Sequence, residues 1–139
     1  AVFIWIGFVC SISFMEAWLK FRAPNITIPI GLSIGQLIFS ALNKVEWVFA
    51  VIISTWLLLN KNKLSLSQLT FFSIPLIGLL IQTFWLLPAL CMRVEMVLQG
   101  GELLPSYIHF YYLFIEIIKT ACLFMFGINL FYIKTYIVV

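Results

Sequence analysis

Glu46, Glu116 and Lys119 stand inside long apolar stretches, with hydrophobic residues on both sides of each. A charge at the centre of a bilayer costs about 2.5–3.5 kcal/mol on insertion scales, so it is rarely kept there without a partner or a purpose. His109, Tyr112, Glu116 and Lys119 follow one another at steps of three, four and three. In a helix that spacing puts all four on one face. Ser13, Glu16 and Lys20 form a similar stripe, and so do Gln36, Ser40 and Asn43, with Glu46 three residues further on.

Two chemistries fit these seams once an antiparallel bundle brings them together around a buried or water-filled pocket. In the first, Glu16 with Lys20, Glu46 with a basic neighbour, Arg93, and Glu116 with Lys119 are ion pairs that knit helices together, because lipid gives little hydrophobic drive for helix association. In the second, Glu46, Arg93, His109, Tyr112 and Glu116 line a site for a polar or anionic headgroup, a proton path or a substrate, since intramembrane ionisable groups mark pathways. The candidate residues are therefore Glu16, Lys20, Asn43, Glu46, Arg93, Glu95, His109, Tyr112, Glu116 and Lys119.

No cofactor or metal is expected. His109 is the only histidine, so one copy of the chain cannot build a bis-histidine haem or a three-histidine metal centre. The three cysteines, Cys10, Cys91 and Cys122, stand alone in apolar surroundings and read as small hydrophobes. There is no HExxH, no GxSxG and no Gly-rich phosphate loop. An enzyme is left open, and the sequence names no chemistry for one.

The elements that must position these residues follow from composition. Of 139 residues, 64% are hydrophobic and 9% charged, and the mean hydropathy is +1.15. A water-soluble domain carries about 25% charged residues, so there are too few charges to coat a globule in water. Spanning segments must satisfy their backbone hydrogen bonds internally, which leaves helices or a closed barrel. Runs such as Val48 to Ile53 do not alternate in polarity as barrel strands do. The expected architecture is all-α, an integral membrane four-helix up-down bundle forming a single domain over 1–139, with helices at about 1–20, 33–59, 66–98 and 105–137.

Helix 1 must stop before Pro24, and it reads as a retained helix because no basic segment precedes it and no small-x-small site follows. Ser33 with Gln36 matches a capping box and is expected to start helix 2; Ser65 with Gln68 does the same for helix 3. Pro88 is expected to kink helix 3. Gly100 and Gly101 end it, and Pro105 suits the first turn of helix 4. Gly31 and Gly35 form one GxxxG at the start of helix 2.

Four crossings place both termini and the Asn60 to Ser65 turn on one side, where Lys61, Lys63 and Lys134 carry charge without any acid. The positive-inside rule makes that side cytoplasmic. Lys20, Arg22, Arg93 and Glu102 lie near helix ends on the other side, within snorkelling reach of headgroups. The small net charge of +3 is divided among short loops and gives no nucleic-acid surface.

Glu16-Ala-Trp-Leu-Lys-Phe-Arg-Ala-Pro at the end of helix 1, Gly35-Gln-Leu-Ile-Phe in helix 2, Leu87-Pro88-Ala-Leu with Arg93 in helix 3, and Ser106, His109 and Tyr112 in helix 4 resemble small four-helix membrane proteins related to human transmembrane protein 205. The resemblance implies four helices and a functionally important first hairpin. The expected role is an accessory or structural subunit whose polar outer-half pocket binds a partner or a lipid headgroup, with a lipid bilayer around it and a membrane-protein partner or a second copy beside it. The alternatives are an oligomeric proton-coupled small transporter and a membrane enzyme acting on a lipid or quinone.

Overall fold

The computed structural model describes residues 1–16, 19, 22, 24–60, 65–101 and 107–137, the side chains of 16 and 131–137 excepted. Among these residues the chain is all-helical, with no strand. The described residues form four helices. Helix α1 is Val2–Val9, continued by a π-helical segment Cys10–Glu16; α2 is Ile28–Leu59; α3 is Leu66–Leu98; α4 is Ile108–Ile137. Three stretches, Ile28–Leu59, Leu66–Leu98 and Ile108–Leu130, are long and apolar enough to cross a membrane. Val2–Met15 is a shorter apolar helix.

Helix α2 begins earlier than its capping box suggests. Thr27 is the N-cap and Pro29 lies in the first turn, where the absent N–H of proline costs no helical hydrogen bond. Ser33 and Gln36 consequently lie inside the helix rather than at its start. Asn25, just after Pro24, takes a positive φ of 66°, a conformation that asparagine tolerates better than most residues. Helix α3 starts as expected: the Ser65 hydroxyl accepts from the Gln68 N–H at 3.3 Å, and the Gln68 side chain accepts from the Ser65 N–H at 3.1 Å. It ends at Gly100, whose φ of +84° allows a Schellman closure in which Gly101 N–H donates to Met96 O and Gly100 N–H to Val97 O. The start of helix 4 at Pro105 falls outside the described residues.

Helix α3 stays continuous through both of its prolines, but it becomes π-helical over Gln82–Leu86, just ahead of Pro88. Proline removes one backbone donor and crowds the preceding turn, and a wider turn relieves that crowding. The segment is also where α3 changes neighbours. Its Leu66–Ile81 half packs mainly on α4, and its Leu87–Leu98 half mainly on α2.

The interior has two apolar layers. The larger joins all four helices through Val2, Trp5, Val9, Ala50, Ile53, Leu57, Phe72, Leu79, Leu123 and Phe126. The smaller gathers Phe39, Leu42, Leu86 and Tyr112. Outward positions are just as hydrophobic: Leu37, Val51, Leu58, Phe84, Ile117 and Phe124 are all exposed. A water-facing surface would segregate polar residues there. Gly31 and Gly35 are buried inside this fold, so their small side faces serve packing within the chain.

Helix α3 approaches α4 closely at Gly78. A Cβ there would stand 3.0 Å from Ile115 Cγ2 and 3.0 Å from Lys119 Cγ, so hydrogen is what lets the lysine stem lie against the α3 backbone. Small residues serve this purpose generally in membrane helix pairs. Gly78→Val should cost about 1–3 kcal/mol by overpacking, read as an earlier midpoint when the detergent-solubilised protein is unfolded with a denaturing detergent. An unchanged midpoint would mean the two helices have room to part.

Candidate functional site

Between the two apolar layers lies a polar one. In sequence, Glu46 falls between Leu42 and Ala50, Gln82 between Leu79 and Leu86, and Glu116 and Lys119 between Tyr112 and Leu123. Each of the three long helices thus passes from one apolar layer to the other through a polar position.

Lys119 is the centre. Its Nζ donates to Glu46 Oε1 at 2.6 Å, to Gln82 Oε1 at 2.5 Å and to Glu116 Oε1 at 3.2 Å. An ammonium has three N–H groups, and here three acceptors from α2, α3 and α4 meet them. The Gln82 amide in turn donates to Glu116 Oε1 at 2.8 Å, and the Trp5 indole N–H donates to Glu46 Oε1 at 2.9 Å. The network therefore touches all four helices. Trp5, Glu46, Gln82, Glu116 and Lys119 are each 0% exposed. In so apolar a setting a hydrogen bond to a charged group is electrostatically stronger than in water, and a missing one is correspondingly costly.

Next to it is a neutral network. The Thr83 hydroxyl accepts from Asn43 Nδ2 and from Trp47 Nε1, both at 3.0 Å, and donates to Leu79 O at 2.7 Å. Gln82 and Thr83 are neighbours in the π-helical segment, yet the first reaches α4 and the second α2. Successive residues of a helix point about 100° apart, so two consecutive side chains can serve two different helices.

Several polar atoms in this region are buried without a hydrogen-bond partner: Glu46 Oε2, Glu116 Oε2, the Tyr112 hydroxyl, Ser13 Oγ and Thr120 Oγ1. The Tyr112 side chain lies beside Glu116 and also feels Glu46, but its hydroxyl makes no bond of ordinary geometry. Its ring packs on Phe39 at a centroid distance of 5.0 Å, and the His109 ring meets the same Phe39 at 6.0 Å.

Of the residues singled out by spacing, Glu46, Glu116 and Lys119 come together directly, with Tyr112 against them and Asn43 in the adjoining network. Ser13 lies on the buried stripe of α1 with Val2, Trp5 and Val9. His109 and Glu95 are exposed and Arg93 half-buried, and each lies on the far side of the smaller apolar layer from Lys119. Glu16 has a described backbone but not a described side chain, and Lys20 and Glu102 fall outside the described residues. Among the described residues no group of three His, Cys, Asp or Glu side chains could hold a metal ion.

Trp5, Gln82 and Thr83 were not singled out by spacing. Gln82 carried a usable signal, an amide amid Ile81, Phe84 and Trp85 in mid-span, of the same kind that marks Glu46. Trp5 carried none, since an indole in an apolar run is equally at home against lipid. No family model, no curated protein and no solved structure matches the chain.

Proposed function

We propose that this is an integral membrane protein whose four helices all cross the bilayer, up and down, with both termini on the cytoplasmic side, and that it acts as an accessory or structural subunit. The observation that carries the reading is the closed polar layer. Glu46, Gln82, Glu116 and Lys119 hold one another across three long helices, Trp5 adds the fourth, and apolar layers seal the group from both ends. Such a group fixes which helix faces which, in register, where lipid offers no hydrophobic drive to do so. Headgroup or partner contact is left to the polar residues beyond it, Arg93, Glu95 and His109, and to the exposed Lys44 on the outer face of α2, whose long stem can carry its charge toward an interface.

The outer faces leave room for a neighbour, with Leu37, Phe84 and Ile117 all exposed. A photo-crosslinking amino acid at Phe84 or Ile117 in intact membranes should yield one discrete protein adduct of fixed mass from one of the faces. Lipid adducts alone from every face would count against a subunit role. A proton-coupled carrier is the second reading, favoured by the orphaned carboxylate oxygens inside the sealed layer.

A further inference from the structure

We propose that the polar layer is a proton-binding site: it holds one proton, carried on Glu116 Oε2 and directed to the Tyr112 hydroxyl, while Glu46 is the anion paired with Lys119. This goes beyond an accessory role and stands whether or not a partner exists. Three observations converge on it.

The first is charge. Among the described residues, the charged and titratable groups facing the layer are Glu46 from α2 and Tyr112, Glu116 and Lys119 from α4; α1 contributes Trp5 and α3 contributes Gln82, both neutral. Two carboxyl groups face one ammonium. With both ionised, the layer would hold an uncompensated negative charge between two apolar layers, and a buried group in that position neutralises instead.

The second is asymmetry. Glu46 Oε1 lies 2.6 Å from the ammonium and takes a second donor from Trp5 at 2.9 Å. Glu116 Oε1 also takes one neutral donor, the Gln82 amide, but it lies further from the ammonium, at 3.2 Å, and that distance is the difference between the two acids. Glu46 is therefore the better supported anion, and Glu116 the place for the proton.

The third is the pattern of orphaned atoms. Tyr112 lies beside Glu116, and Glu116 Oε2 and the Tyr112 hydroxyl are both buried without a hydrogen-bond partner. An unmade hydrogen bond in such a site costs the desolvation of both groups. A hydrogen on Glu116 Oε2, which the first two observations call for, makes that oxygen a donor and the phenol oxygen its available acceptor.

Infrared spectroscopy of the full chain in detergent at neutral pH tests this. The expected result is a protonated carboxyl C=O band that shifts on transfer to heavy water, at a pH where exposed glutamates, with pKa values of about 4.3, are ionised. The band should be absent from Glu116→Gln. In Tyr112→Phe it should persist and move to higher wavenumber, because the acid loses its acceptor; this variant also serves if Glu116→Gln fails to fold. No such band in the unaltered protein, a band that survives in Glu116→Gln, or one that does not move in Tyr112→Phe overturns the assignment.

Discussion

Lys119→Met should lower the unfolding free energy by about 3–5 kcal/mol, the range found when one partner of a buried ion pair is removed and the other is left in place. The methionine roughly matches the volume of the lysine stem, so the packing against Gly78 survives. What disappears is the ammonium that three helices share. Glu46 Oε1 keeps only the Trp5 indole, and Gln82 Oε1 loses its donor altogether. Both carboxyl groups then lie in an apolar interior with no base, and neither can reach water without parting the helices. Denaturing-detergent titration of the purified variant against the unaltered protein would show the loss as an earlier midpoint. A midpoint within experimental error would mean that the ion cluster contributes nothing to holding the bundle.

Glu46→Gln and Glu116→Gln should each cost little, and the double variant much. Either single change keeps the side-chain shape and leaves one acid facing one base, so the cost is that of a weakened hydrogen bond, about 0.5–1.5 kcal/mol. In the double variant Lys119 is a buried cation whose only acceptors are amides. It should lose about 3–5 kcal/mol, more than the two single losses together. Residues sharing one network commonly couple by about 0.5–3 kcal/mol. The same titration measures all three variants, and strictly additive losses would show that the two carboxylates do not share the lysine.

Much of this arrangement is visible in the residues. The three long spans follow from apolar runs, the Ser65–Gln68 box forms in both directions, and Gly100 ends α3 as a left-handed residue. The step pattern on α4 is also sound: Tyr112, Glu116 and Lys119 all point inward and are 0% exposed. His109, one step earlier, shares the face in projection but lies beyond the end of the tightly packed region and is exposed. Spacing assigns a face; it does not say how far along the helix a neighbour covers it.

What the residues hide has physical causes. The Ser33–Gln36 match is locally as good as the Ser65 one, but Thr27 followed by Pro29 offers an earlier start, and a helix extends until something stops it. The π-helical turn at Gln82–Leu86 has no residue code of its own; it is a compromise between Pro88 and the demands of two flanking helices. Trp5 enters the network only because α1 docks on α2 and α4 at the level of Glu46, a tertiary fact. Gly78 looks like any small residue in an apolar run until α4 is placed against it.

The proposed four crossings around a sealed charge cluster require that the ends of the helices alternate between two aqueous sides. Single cysteines at Asn25, Ser65 and Gly101, in a background where Cys10, Cys91 and Cys122 are replaced by serine, can be labelled in sealed vesicles with a membrane-impermeant thiol reagent. Asn25 and Gly101 should react from one side, Ser65 only from the other, and a cysteine at Ala50 from neither. Labelling of Asn25 and Ser65 from the same face, or ready labelling at Ala50, would contradict the transmembrane bundle.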